Sequence, residues 1–293
     1  MLLLELGFQR LLQADTSRDS ELPTGDPPET TDYPSGIPRL IFQTWKTRTQ
    51  LPANYMHWSA SFQQVHPEYR HVLWGDSENR AFITREFPWF LPFYDAYPRE
   101  IFRADMVRPF FLFHYGGVYS DLDTECLRPL DEVLGRGDVV LGTMGEDASA
   151  GDCIPNAMMA SAPRQLFWML VITMAIEKLR EFNDPAAVSI AGPEKISGPV
   201  LLKAAVEYYR HSTQLDVRRR CAWVLQQLAP AVHAEAGEVV LLAASNWYPI
   251  NWINPLHQIF RRRMLRRRFL PNRRLVRLLF PKASLITYWT HSW

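Results

Sequence analysis

Gly116-Gly117-Val118-Tyr119-Ser120-Asp121-Leu122-Asp123 decides how this chain is read. The run predicts a strand, and side chains on an extended chain alternate with a period of two, so Asp121 and Asp123 are expected on one side of its end. Such a pair can hold a hard divalent cation. Magnesium and manganese prefer oxygen ligands, are usually held by one or two protein carboxylates, and complete their shell with water and diphosphate oxygens. No other two aspartates in the chain stand at this spacing. The twin glycines in front can turn the backbone or bring it close to a ligand, and they can equally mark a helix end.

Upstream, Arg103-Ala104-Asp105-Met106-Val107-Arg108 reads as helix. Asp105 and Arg108 lie three apart, share one face, and could contact a sugar and its phosphate together; as a plain surface ion pair they would contribute only a few tenths of a kcal/mol. Pro109 follows directly. Proline in a helix interior removes a hydrogen bond and disfavours α geometry in the residue before it, so a kink or a boundary is expected there.

Working outward, Ile37 to Thr44 reads as a first buried strand, with Thr44 and Trp45 at the carboxyl end where open α/β sheets place ligands. Trp45 can stack on a nucleotide base or fill a core. Trp58 to Tyr69 reads as a helix ending near His66-Pro67, Arg70 to Trp74 as a second strand, and Ser77 as the cap of a helix over Glu78 to Glu86. Pro88 to Tyr94 is an aromatic patch broken by proline, suited to packing and secondarily to acceptor contact. Strands are expected at Val139–Gly142, Asn156–Ala160 and Val239–Leu242, and helices over Pro163–Glu181 and after Ser197-Gly198-Pro199 through Arg210. This alternation predicts an α/β fold, a Rossmann-like mixed sheet flanked by helices. Residues 1–36 read as a flexible leader, and 37–293 as a single catalytic domain.

With 293 residues, 47% of them hydrophobic, the chain can bury a large core. The formal net charge of +1 hides an uneven distribution: residues 261–282 carry ten basic and no acidic side chains, leaving 22 basic against 31 acidic elsewhere. Arginines interleaved with Leu, Phe, Val and Met suit an anionic membrane surface, or a solvated helix whose arginine stems cover the fold. Nucleic acid is disfavoured, because the overall charge is balanced and no recognisable nucleic-acid module is present. Cys126, Cys153 and Cys221 have no zinc-like spacing and are expected as free thiols. The opening Met1 to Phe8 is too short and too interrupted to span a bilayer, which takes about 20 apolar residues.

The run from Phe102 through Asp123 resembles the sugar-binding Asp-x-Asp region of glycosyltransferase family 32, which includes fungal α-mannosyltransferases of the secretory pathway. The likeness extends to Ile37-Pro38-Arg39-Leu40-Ile41-Phe42-Gln43-Thr44-Trp45-Lys46-Thr47, to Ile154-Pro155-Asn156-Ala157-Met158-Met159-Ala160, to Tyr248-Pro249-Ile250-Asn251-Trp252 and to the terminal Ile286–Trp293 block. That last block is most similar to mannosyl inositol-phosphoceramide synthase-like members. The resemblance implies a GT-A-type fold, a manganese (or magnesium) ion, a nucleotide-sugar donor such as GDP-mannose, a glycan or sphingolipid acceptor, a Golgi location, and retention of anomeric configuration. It implies Asp123 as direct metal ligand, with Asp121 bridging metal, ribose or sugar, and Asp105 on sugar hydroxyls. Arg108 would face the diphosphate, with Arg103 and Tyr119 supporting the donor pocket. Thr44 and Trp45 would mark the nucleotide end; His291 would reach the metal, Ser292 the donor phosphate, and Trp293 would belong to the donor-binding set.

Two other classes use parts of the same sequence. A haloacid-dehalogenase-like phosphohydrolase also places Asp-x-Asp after a strand, but that strand comes first in its fold, without a glycine pair and helix ahead of it. A catalytically silent membrane-binding relative would use only the basic stretch.

Overall fold

The computed structural model describes residues 36–144, 153–182, 184–250, 254–264 and 271–290. The leader over 1–35, His291, Ser292, Trp293, Asn251, Trp252 and residues 265–270 of the basic stretch lie outside the described residues.

Eight strands are described: β1 (Leu40–Thr44), β2 (Arg70–Trp74), β3 (Gly117–Ser120), β4 (Thr124–Cys126), β5 (Val139–Gly142), β6 (Met158–Ser161), β7 (Val239–Leu242) and β8 (Leu285–Thr287). Six form one mixed sheet in the order β2-β1-β3-β6-β5-β7, and β4 pairs with β8 in a separate two-stranded ribbon. β1 runs parallel to β2 and β3, β6 lies antiparallel between β3 and β5, and β5 runs parallel to β7. The mixed α/β architecture expected from the sequence is present.

Alternation along the strands sorts the core into two faces. Phe42, Tyr119, Val139, Leu141 and Met159 join one cluster with the Glu100–His114 and Leu166–Phe182 helices. Ile41, Val118, Val140, Met158 and Ala160 turn the other way, toward Phe62 of the Ala53–Val65 helix and Leu285 of β8. A third cluster joins Tyr55 and Trp58 of that helix to Leu122, Ile286 and Tyr288, so the ribbon is packed onto the sheet rather than hung from it. Burial on both faces explains why these strands read as near-continuous apolar runs.

The aspartate pair is placed differently from expectation. β3 ends at Ser120, and Thr124 N–H donates to the Asp121 carbonyl at 3.2 Å, so Asp121 to Asp123 occupy a tight turn between β3 and β4 instead of an extended strand end. The Glu100–His114 helix also runs through Pro109 without a boundary. Packing overrides the lost hydrogen bond there: Phe110 lies 4.6 Å from the rings of both Phe87 and Phe90, and Phe111 stacks on Phe42 at 4.9 Å. Ser77 does not cap the next helix, which spans Asp76–Glu86 with Gly75 at its N-cap. The Glu78 carboxylate accepts from both Gly75 N–H and the Ser77 hydroxyl at 3.0 Å, doing what the serine was expected to do.

The twin glycines serve the backbone. Gly116 (φ 68°) and Gly117 (φ 91°) are left-handed, and Gly116 N–H closes on the Leu112 carbonyl at 3.1 Å, ending the helix. A Cβ on Gly117 would stand 2.5 Å from the Leu40 carbonyl, so only glycine lets β3 lie this close to β1. The Pro88–Tyr94 aromatics are packing residues: Phe90 and Tyr94 are core members, and Trp89 abuts Trp223 at 5.8 Å.

Candidate active site

The Glu100–His114 helix runs beneath the sheet and carries Asp105 and Arg108 to the end of β3. Arg108, only 1% exposed, meets Asp105 Oδ1 at 3.1 Å and Asp121 Oδ1 at 3.2 Å, donates to the Asn156 carbonyl at 2.9 Å, and stacks over the Tyr119 ring at 4.7 Å. Tyr119 donates its hydroxyl to the same Asp121 oxygen at 2.8 Å. Asp105 is buried and receives Asn156 Nδ2 at 3.0 Å and the Ser197 hydroxyl at 3.3 Å.

Asp121, 16% exposed, is pushed up to about 7: burial penalises its charge and Asp123 repels it, while Arg108 pulls the other way. Burial likewise raises Asp105 against the opposing pull of Arg108. For Arg108 itself, desolvation would lower the guanidinium, but Asp121, Tyr119 and Asp105 together lift it above its usual range.

Asp123 is held from the ribbon. Its Oδ1 accepts from the Thr287 hydroxyl at 3.3 Å, and its Oδ2 from Thr290 N–H at 2.8 Å and the Thr290 hydroxyl at 3.2 Å; its carbonyl accepts from Tyr288 N–H at 2.9 Å. Asp105 and Asp121 share one guanidinium, and Asp123 stands near enough to Asp121 to repel its charge. Among the described residues no group of three metal-capable side chains forms; Asp121 and Asp123 are the hard oxygen donors at the turn, and a cation held there would take the rest of its shell from water and diphosphate.

The comparisons with known proteins agree with that chemistry. Residues 52–140 match the family described as "Glycosyltransferase sugar-binding region containing DXD motif". The chain carries that glycosyltransferase region. It is 39% identical over 173 residues to inositol phosphoceramide mannosyltransferase 2 of Schizosaccharomyces pombe, covering 57% of this chain and 48% of the relative. Inositol phosphoceramide mannosyltransferase 3 of the same yeast is 48% identical over 100 residues, covering 34% and 28%. Mannosyl phosphorylinositol ceramide synthase SUR1 of Saccharomyces cerevisiae is 32% identical over 196 residues, covering 67% and 48%. The chain thus matches about half the length, or less, of these curated relatives.

Around the DXD pair, the structure brings Asp105, Arg108, Tyr119 and Asp121 into direct contact, with buried Thr44 at the end of the neighbouring strand β1. Trp45 lies at the end of β1, edge-on to Tyr55 at 5.0 Å, with its indole N–H on the Gln50 carbonyl at 3.2 Å. Arg103 engages Glu100 through its Nε at 3.0 Å and also donates to the Tyr97 carbonyl, on a different side of the helix from Asp105.

Several contacts escaped sequence reasoning. Asn156 and Ser197 hold Asp105, and Thr287 and Thr290 hold Asp123. Buried Gln43 donates to the Asp121 carbonyl at 3.4 Å and is itself fixed by the Ser59 hydroxyl at 2.6 Å and by His71 at 2.9 Å. Burial pushes His71 down to about 3, so its neutral ring can donate to the amide oxygen. The available signal for Gln43 was a polar residue inside an otherwise apolar strand.

Proposed function

We propose that this chain is a metal-dependent, retaining glycosyltransferase that moves mannose from GDP-mannose to a sphingolipid headgroup. Residues 37–293 act as one GT-A-type catalytic domain behind a leader at 1–36. The carrying observation is the Arg108 guanidinium shared by Asp105 of the helix and Asp121 of the turn after β3, with Asp123 beside it, inside the matched sugar-binding region. The sphingolipid acceptor rests on the names of the relatives, and a glycan is the alternative.

The cation, manganese or magnesium, would neutralise the diphosphate as negative charge builds on it. Asp123 and Asp121 would hold it, and His291 would add an imidazole. The chain's own residues prepare this site. Arg108, buried behind Asp121, compensates the carboxylate charge and fixes its orientation before donor arrives, which is preorganisation rather than direct phosphate contact. Asp105 balances Arg108 and orients it through Asn156 and Ser197, with its remaining acceptor capacity turned to sugar hydroxyls. Thr44, Trp45 and Tyr119 would flank the nucleotide end, Arg103 would support that pocket from outside, Ser292 would contact donor phosphate, and Trp293 would belong to the donor-binding set. Among the described residues we assign no side chain as a covalent nucleophile; attack from the departing side would carry the transfer, with the diphosphate accepting the acceptor's proton. Location in the Golgi follows from this reading; among the described residues no helix is long and apolar enough to cross a membrane.

A panel of nucleotide sugars assayed with manganese, magnesium or chelator decides the matter. GDP-mannose turnover that is lost on chelation and lost in Asp123→Ala supports the proposal. Undiminished turnover by that variant would remove the metal site, and preference for a UDP-sugar would replace the donor.

A further inference from the structure

The two helices that bracket the basic stretch expose apolar side chains for which the catalytic reading has no use. Leu256 and Ile259 on the Pro255–Met264 helix are 73% and 51% exposed, and Leu278 and Leu279 on the Arg273–Leu279 helix are 77% and 54% exposed. Isolated exposed leucines are ordinary on protein surfaces. These are half of the eight exposed large hydrophobics among the described residues, and they fall on two helices joined by a His257–Phe280 ring contact at 5.5 Å.

The orientation of the second helix is fixed from its inner side. Arg273 turns inward to buried Glu125 at 3.5 Å and Gln64 at 2.8 Å and also donates to the Cys126 carbonyl, while Val276 is fully buried. Arg274 and Leu278, one turn apart, therefore share the exposed side, with exposed Lys282 just beyond. The sequence from the end of the first helix to just past the second supplies charge of one sign only, ten basic and no acidic residues over 261–282, while the rest of the chain is acidic in balance. Exposed Leu278 and Leu279 beside exposed Arg274 and Lys282 are complementary to one kind of surface: hydrocarbon lying behind a layer of phosphates.

We propose that the Pro255–Met264 and Arg273–Leu279 helices form a docking surface for an anionic lipid membrane, with Leu278 and Leu279 entering the headgroup boundary and Arg274 and Lys282 meeting lipid phosphates. The proposal stands independently of the catalytic reading. It also has a spatial consequence: Arg273, the inner anchor of the docking helix, binds the far end of β4, a three-residue strand that begins one residue after Asp123, so that anchor lies about 10 Å along the strand from the aspartate pair and the lipid-facing side about one helix diameter beyond it.

The test is co-sedimentation of the full chain with vesicles of pure phosphatidylcholine and of phosphatidylcholine containing one third phosphatidylserine. The parent is expected to bind the anionic vesicles and to release at high salt. Leu278→Glu/Leu279→Glu should lower the partition by about tenfold or more, and Arg274→Glu/Lys282→Glu by about fivefold per charge removed. A Leu278→Ser/Leu279→Ser variant with the parent's thermal midpoint keeps the fold under control and should also lose binding. Equal binding to neutral vesicles, parental binding by the leucine variants, or preference for duplex DNA over anionic vesicles would each overturn the proposal.

Discussion

Asp121 and Asp123 share one turn, but Asp121 is held from the side of the six-stranded sheet and Asp123 from the two-stranded ribbon, by different chemistry. Asp121 is gripped by charge, through Arg108 under the sheet, with Tyr119 adding a hydroxyl and Gln43 fixing the backbone. Asp123 is gripped by neutral donors, the Thr287 and Thr290 hydroxyls and one backbone N–H, all from the segment around β8. The sheet side is buried before any donor binds, and its cost is electrostatic. The ribbon side depends on a late segment pairing with β4, which Tyr288 and Arg273 secure through buried Glu125. One wall is therefore prepaid by the fold, while the other can be loosened without touching the core.

The sharpest way to break this contrast is Arg108→Met. It leaves Asp105 and Asp121 buried without their shared cation, and loss of one partner of a buried ion pair costs about 3–5 kcal/mol. Equilibrium unfolding should show that loss at about pH 8 and a smaller one at about pH 5, because the stranded carboxylates become neutral as protons are added. A uniform loss across pH would mean that Arg108 acts by packing on Tyr119 and not by charge.

Asp123→Ala should do the reverse, costing less stability than Arg108→Met, about 1.5–3 kcal/mol as for hydrogen bonds to a charged group, while lowering transfer by about 10²–10³-fold. A stability loss as large as that of Arg108→Met would show that the ribbon is as much a part of the core as the sheet.

Asp121 also predicts a pH signature. Its folded pKa of about 7 lies above the ordinary 3.8, so the folded protein without metal holds this proton more tightly than the unfolded chain does. Stability without metal should consequently fall as pH climbs from 3.8 to about 7. Metal binding needs the carboxylate, so the manganese concentration for half-maximal turnover should drop as pH rises, by about tenfold per unit below the pKa, and level off above it. A flat profile through neutrality would remove Asp121 from the first coordination sphere.

How much of this was legible beforehand follows the same division. The strands Val139–Gly142 and Val239–Leu242 were readable as unbroken apolar runs, and Arg70–Trp74 by its Val72-Leu73-Trp74 end before the Gly75-Asp76 turn. Asp105, Arg108 and the aspartate pair were readable as a set because helical and short-range spacing placed them near one another. The turn at Asp121 to Asp123 was not, since period-two alternation assumes that the strand continues, and only the diversion of β4 into a separate ribbon ends it at Ser120. The continued helix at Pro109 was hidden for a related reason: the aromatic packing that outweighs proline comes from Phe87, Phe90 and Phe42, which are remote in sequence. Thr287 and Thr290 were invisible as partners because a contact spanning more than 160 residues leaves no local period.

The finest test of the ribbon is Thr290→Val, which removes one hydroxyl from Asp123 Oδ2 and from the Tyr55 hydroxyl 2.6 Å away while keeping the backbone N–H bond. A neutral hydrogen bond is worth about 1 kcal/mol, so the manganese requirement should rise about fivefold with turnover at saturating metal unchanged. Thr143→Val supplies the matched control. That hydroxyl is buried on the Leu242 carbonyl at the end of β5, and its loss should lower stability by a similar amount without moving the metal requirement. If both variants shift the requirement alike, the metal site senses only overall stability; if Thr290→Val shifts nothing, Asp123 is oriented by its own turn and the ribbon is packing alone. A shift confined to Thr290→Val would show that the two walls, built with different chemistry, meet at the ion.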